Sequence, residues 1–489
     1  MSETKKKSFA ERDLTSGKLF WKIPLFAIPM ACSTVLQLLF STVDLFTVAN
    51  YGGGSNSRSA IGSNTALINL VVTLFVSMAL GSNVAIGNER GAGNKERAAK
   101  VMGNSYFLAI CAGIIVAIFG YFRTPVLLGW RNTPKDILEN STTYLHIYFL
   151  GRPFLILYDF GAQLRMGLGD SKRPLLILGA SGVINVIADF LFVIYGHRDV
   201  AGVAYATIIS EACSALFVTL FLVFNHKGFV RLNIHELIPQ KDVLLEILKI
   251  GIPSGLQGLG FGIPNVLIQS SLYSIHGLTL AGQLISDDEI VAGSAAANTI
   301  ENYVFAITDS CAAACISFVG QNFGAKKEEN VKKVFWYSQI WMAILTSIAV
   351  CIARGCSEPL LKIFLTKTQD GEVVNQEHAI LAGQERRKIV ITREVLNGIR
   401  DVDSNYLRGR KHSLAPALII LFGATGSRIL FLYTIFPMET FHTRIWLYAT
   451  FPISWVLIDL IYIPIILHLQ KKSFAKFHET EALPSAKNN

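Results

Sequence analysis

Two carboxylates in this chain sit inside runs that a hydrocarbon environment would otherwise fill with apolar side chains, and they define the chemistry to look for. Asp189 lies in residues 174–194, PLLILGASGVINVIADFLFVI. That stretch is long enough to cross a ~30 Å bilayer core at ~1.5 Å per helical residue. Asn185 is one turn earlier, so the two polar groups share a helical face. A charged group at such depth costs roughly 3 kcal/mol on insertion scales and is tolerated where it faces a polar interior. Asp44 is a second acid of this kind, in LQLLFSTVDLFTVAN, with Gln37 two turns before it on the same face. Thr207 and Glu211 share a face of VAYATIISEA, with Glu211 expected near the cytoplasmic end of its helix. A pocket made by the first, fifth and sixth spans would hold Asp44, Asn185, Asp189 and Thr207. Two carboxylates, an amide and a hydroxyl form a set of hard oxygen donors, which suits Na⁺. Desolvation and like-charge repulsion equally favour a shared proton, so the residues fit H⁺ or Na⁺. The bland alternative is that these groups pin helices together by hydrogen bonds.

The tenth span is charged rather than apolar. In GQERRKIVITREVLNGIRDVDSNYLRG, Arg386, Arg393 and Arg400 recur every seven residues, as do Arg387, Glu394 and Asp401. A helix striped in this way cannot face lipid. It is expected to line a wet cavity, with Glu301, Arg393, Asn397, Arg400 and Asp401 as cavity-lining residues, or to meet Glu301 and Asp309 of the eighth span. A substrate path and a buried ion-pair lattice both fit this pattern.

These residues need apolar elements to hold them, and the composition provides them. Of 489 residues 51% are hydrophobic and 16% charged, with mean hydropathy +0.43, and the apolar residues gather in span-length segments. That excludes an ordinary soluble protein and predicts an all-α polytopic membrane protein. Twelve spans are expected, at 19–49, 60–87, 98–122, 143–168, 174–195, 201–224, 246–275, 290–319, 331–353, 380–407, 414–436 and 445–470. The net charge of +9 does not signal nucleic acid, because Lys and Arg gather in alternate loops and both tails. By the positive-inside rule both termini are cytoplasmic, in a multi-pass protein of the cell membrane.

The chain repeats itself. GNERGAGNKERAAKV, from Gly87, aligns with GQNFGAKKEENVKKV, from Gly320, and MGLGDSKRP, ending at Pro174, aligns with RGRKHSLAP, ending at Pro416. An even number of spans per half makes these parallel repeats, so two six-helix bundles related by a pseudo-twofold axis are predicted. The expected organisation is a cytoplasmic tail (1–18), an N-lobe (19–224), a basic cytoplasmic linker (225–245), a C-lobe (246–470) and a second cytoplasmic tail (471–489). At the second offset Asn185 falls on Ser427 and Asp189 on Phe431, with Arg428 alongside, so the acidic site belongs to the N-lobe.

Enzyme signatures fail. GLGFGIPN follows no strand, GNERGAGNKE lacks the ending of a phosphate loop, and no ATPase motif occurs. Cys311 and Cys315 lie four apart without a His or acidic partner, and seven scattered cysteines imply no disulfide framework. An intramembrane enzyme would need clustered His or acid ligands beyond the Asp44 and Asp189 pair.

The order and spacing of TVDLFTVAN, GAGNKERA, VGQNFGAKKE, LRMGLGDSKRP with NVIADFLFV, AGVAYATIISE and YLRG resemble the MATE (multidrug and toxic compound extrusion) transporters over nearly the whole chain. The resemblance implies a twelve-helix, two-lobe antiporter that exports amphipathic, often cationic organic compounds in exchange for H⁺ or Na⁺. It places the cation site of prokaryotic members with N-lobe acids on Asp44, Asn185, Asp189 and Thr207, with Gln37 lining the cavity. Expected partners are small organic substrates and membrane lipid, with no nucleic acid, no cofactor beyond the coupling ion, and a monomeric state. The wider superfamily adds an alternative, a flippase for lipid-linked precursors, which the tenth-span arginines keep open.

Overall fold

Long apolar segments without breaker pairs become long helices, and the computed structural model is built almost wholly from them. It describes residues 11–51, 55–130, 135–196, 199–275, 279–280, 283–365, 368–369, 372–373 and 375–482. The first half contains α1 (Leu19–Tyr51), α2 (Ser55–Ala92), α3 (Lys95–Trp130), α4 (Lys135–Gly167), α5 (Lys172–Asp189), continued by a π-helical turn Phe190–Tyr195, and α6 (Asp199–Val223). The second half contains α7 (Lys241–Ser271), α8 (Asp287–Gly324), α9 (Glu328–Gly355) and the short α10 (Ser357–Phe364). It goes on through α11 (Gln376–Ile389), α12 (Glu394–Gly409), α13 (Leu414–Ile420), α14 (Ser427–Thr434) and α15 (Arg444–Ala482). Because α11 and α12 are joined by a 3₁₀ turn, and α13 and α14 by a π turn, Leu421–Gly426, they make two broken rods. The fold is that of a polytopic all-α membrane protein with twelve transmembrane helices in two bundles. Two antiparallel strand pairs of two residues each interrupt loops of the second half.

Among the described residues nine rods are long and apolar enough to cross a membrane. The others are α2, α4 and the α11–α12 pair, and the last two carry buried charge. Side chains facing outward are apolar where lipid would lie: on α3, Ile114, Ile115, Ile118 and Phe122 are exposed, a helical stripe of the kind hydrocarbon covers.

The chain divides into two compact units. In the first, comprising 1–18, 25–258 and 320–325, Val101, Leu164, Val218 and Val243 belong to one buried cluster and Phe149, Phe160 and Val203 to another. The segment before α1 is also anchored here. Glu11 accepts from Arg90 Nη1 at 3.0 Å, Asn225 Nδ2 at 2.6 Å and the Phe229 backbone N–H at 2.9 Å. The Leu14 N–H donates to Gln321 Oε1, and its carbonyl accepts from Asn322 Nδ2. Gln321 and Asn322 belong to the last turn of α8, which packs on the end of α2. A methyl group at Gly91 would collide with the Gln321 carbonyl, and one at Gly324 with that of Asn88, so both copies of the Gly-x₃-Gly motif serve close backbone approach.

In the second unit, comprising 19–24, 259–319 and 326–489, one cluster gathers Ile300, Val304, Leu361 and Ile391, and another Val390, Leu447, Phe451 and Trp455. The internal repeat is visible in the backbone. Gly93 (φ 75°) and Lys326 (φ 55°) hold left-handed conformations at equivalent positions, and so do Gly169 (φ 81°) and Lys411 (φ 64°). The last two close their helices identically. Gly169 and Asp170 donate to Met166 and Arg165 carbonyls, and Lys411 and His412 to those of Arg408 and Leu407, the paired bonds of a Schellman cap.

Candidate cation site and the charged tenth span

The acidic site is assembled by the contact of α5 with α1 and α6. Gly182 has no side chain, and a methyl group there would run into the Phe40 ring, so the ring of α1 seats in the gap that this glycine leaves on α5. One turn further along both helices, Asp44 faces Asn185 and Asp189, and Thr207 of α6 completes the group. The Ser181 and Ser214 hydroxyls meet at 2.6 Å and tie α5 to α6. Asp189 is the last residue of α5, at the step into the π turn; such turns concentrate at functional sites.

Asp189 is fully buried, Asn185 is 4% exposed, and Asp44 and Thr207 are half-buried. The Thr207 hydroxyl donates to the Val203 carbonyl at 2.9 Å, leaving its lone pairs free to accept. Among the described residues none of the groups facing Asp44 is a Lys or Arg. Asp44 Oδ1, Asn185 Oδ1 and both carboxylate oxygens of Asp189 are buried without a hydrogen-bond donor. Facing carboxylates can bond only through a proton, and otherwise they repel. The donor set fits a proton or a small hard cation; groups of three or more His, Cys, Asp or Glu suited to a metal are absent among the described residues. Gln37 is exposed.

Glu211 corrects the expectation drawn from the sequence. It lies near the middle of α6 and is paired with Arg152 of α4, whose Nη2 donates to it at 2.6 Å. Arg152 is 1% exposed and stacks its guanidinium 3.5 Å from the Tyr148 ring centroid. Sequence reasoning missed Arg152 altogether. The signal was a lone arginine in the apolar run YFLGRPFLIL, a residue that needs a carboxylate partner on a neighbouring helix.

The stripe of the tenth span also changes on inspection. Glu301 is held by Arg386, with Nε to Oε1 at 2.9 Å and Nη2 to Oε2 at 2.8 Å. The same guanidinium donates to Gln269, Ser294 and Asn298, so its five N–H groups are all used. Arg393 is exposed and donates to the Lys388 and Ile389 carbonyls. It therefore leaves the buried stripe, because the 3₁₀ turn Ile391–Arg393 breaks the helical phase that a seven-residue spacing assumes. Asn397 donates to Glu394 at 2.6 Å, and Arg400 pairs with Asp401 at 2.7 Å. All four of these last residues are buried. Cys311 and Cys315 are buried free thiols.

The MatE family model matches residues 29–191 and 264–434, one stretch in each half. A probable multidrug resistance protein, YoeA of Bacillus subtilis, is 25% identical over 434 residues, covering 87% of this chain and 89% of that protein. The probable multidrug resistance protein NorM of Thermotoga maritima is 24% identical, covering 82% of each. Among solved structures, a MOP-superfamily transporter from Pyrococcus furiosus, described as having a binding pocket of reverse polarity, superposes with a TM-score of 0.83 at 18% identity over 94% of this chain and 98% of that one. An outward-facing multidrug resistance MATE transporter gives 0.80 at 19% identity over 95% and 98%.

Proposed function

Since the chain belongs to the MATE family and is a multi-pass membrane transporter rather than an enzyme, we propose that it is a multidrug efflux antiporter. It exports amphipathic, cationic organic compounds in exchange for H⁺ or Na⁺ by alternating access. The relatives named as multidrug resistance proteins support the efflux reading. The observation that carries the coupling is the pair of half-buried Asp44 and buried Asp189, which faces Asn185 and Thr207 and, among the described residues, no basic side chain. Two negative charges in a low-dielectric interior repel strongly unless a cation joins them. Loading one H⁺ or Na⁺ relieves that repulsion, and release restores it. The chain's own residues thus supply an ion-dependent energy difference that a two-state transporter can use. The protein works as a monomer in the cell membrane, with both termini cytoplasmic, and needs no cofactor beyond the coupling ion.

The flippase reading would put the tenth-span arginines against phosphate headgroups, and the donors of one of them, Arg386, are fully used by Glu301, Gln269, Ser294 and Asn298. The test is uptake of a fluorescent organic cation into inverted vesicles under separately imposed proton and sodium gradients. Asp44→Asn and Asp189→Asn are each expected to abolish gradient-driven uptake while the protein remains in the membrane. Wild-type rates with unchanged ion dependence in both variants would exclude the N-lobe site.

A further inference from the structure

Most buried arginines among the described residues meet a carboxylate or a backbone carbonyl. Arg152, Arg165, Arg386, Arg400 and Arg444 each meet a carboxylate. Arg387 donates to backbone carbonyls at the end of α9, Arg410 to the Leu469 carbonyl within α15 and to the Tyr406 hydroxyl, and Arg408 to Asn405 Oδ1. Arg428 meets neither carboxylate nor backbone carbonyl. It is 2% exposed and sits in α14, well inside the span Leu414–Thr434. Its Nε donates to Ser454 Oγ at 3.0 Å and its Nη1 to Asn265 Oδ1 at 3.3 Å. The Phe451 ring covers one face of the guanidinium, 4.5 Å from its centroid. Among the described residues the one charged group that acts on it is another cation, Arg400.

A guanidinium carries five N–H donors in a planar fork. Two are spent on neutral oxygens, and the others find no protein acceptor among the described residues. A ring on the face of the fork satisfies the cation in part but leaves the in-plane donors open, and these bind a carboxylate or phosphate two at a time. An unpaired charge in a membrane interior is strongly unfavourable, so the position calls for an anion from outside the chain. Ser454 is itself 2% exposed, and with Asn265 it holds the fork in place.

We propose that Arg428, oriented by Ser454 and Asn265, is an anion site in the C-terminal unit that receives the carboxylate or phosphate of a transported amphiphile. This deepens the efflux reading by naming a substrate class, compounds that carry an anionic group alongside any cationic one. It also gives the two halves opposite polarity. Where the repeat places Asn185 and Asp189 in one copy, the other has Ser427 and Phe431 with Arg428 beside them.

The test is made on purified full-length protein in detergent without any ion gradient, so that its outcome is independent of coupling. Three probes share one fluorophore: dansylglycine with a carboxylate, dansylamide without charge, and dansyl-ethylenediamine with an amine. Wild type is expected to bind dansylglycine roughly tenfold or more above dansylamide, the size of a charge-assisted bond. Arg428→Met should remove that preference while leaving dansylamide binding intact, which also reports folding, and Arg428→Lys should keep part of it. Ser454→Ala should weaken dansylglycine alone. Equal affinity of wild type for dansylglycine and dansylamide overturns the proposal, as does a preference that survives Arg428→Met. Stabilisation by chloride or inorganic phosphate that depends on Arg428, with no gain for dansylglycine, overturns the assignment to an amphiphile.

Discussion

Glu301 has its carboxylate bound on both oxygens by Arg386, and that guanidinium is otherwise saturated by Gln269, Ser294 and Asn298 beneath Tyr448 and Phe451. Such a pair contributes little net stability as a pair, but removal of one member strands the other. Glu301→Gln is expected to cost about 3–5 kcal/mol, read as a lowered unfolding temperature in detergent. Glu301→Leu combined with Arg386→Met should recover most of it. Retained uptake in the double variant would identify this pair as scaffold rather than substrate path. At this scale the sequence is informative where a residue type conflicts with its surroundings. Asp44, Asp189 and Asn185 are legible because acids and amides in an apolar run need an explanation. Which arginine meets Glu301 is not legible, since Arg386 and Arg393 occupy the same heptad position and only the break at Ile391–Arg393 separates them. The Glu211 and Arg152 pair is hidden for another reason: its partners lie 59 residues apart on different helices, and no spacing rule joins them.

The elements matter as much through their ends as through their spans. The segment before α1 is read from the sequence as a charged tail, yet residues 11–18 are fastened by Glu11 and Leu14 to the ends of α2, α6 and α8. The Glu11 side chain is 4% exposed and also lies 3.5 Å from Arg165, so one carboxylate meets two arginines in one place. Glu11→Ala leaves Arg90 and Arg165 without this partner, and a loss of about 3 kcal/mol is expected. Limited proteolysis should then cut near residues 12–18, which wild type protects. Charge composition alone predicts solvation here, because a sequence does not reveal that Arg90, Arg165 and Asn225 converge on a single carboxylate. The twelve rods, by contrast, are legible from hydropathy and the repeat. Their helices run beyond the apolar runs, as α2 does to Ala92 and α8 to Gly324, since polar residues that lengthen a helix past the hydrocarbon leave no hydropathy signal.

At the scale of the whole molecule the charge pattern makes a topological statement. The first turn of α3 carries Lys95 and Arg97, whereas α8 opens on Asp287, Asp288 and Glu289. If both termini are cytoplasmic, as proposed, Lys95→Cys should react with a membrane-impermeant maleimide only in inverted vesicles, and Asp288→Cys only in right-side-out ones. The reverse pattern would invert the orientation and with it the direction of transport. This check would be made in a background lacking the seven native cysteines, all of them free thiols, so their replacement breaks no disulfide.

The left-handed corners at Gly93 and Gly169 return as Lys326 and Lys411. A lysine tolerates that backbone less readily than a glycine does, yet the bend is present in both copies. What the doubling of the chain handed down at these points is a path through space rather than a residue. Once the path was secured by its neighbours, the corner was free to carry a positive charge.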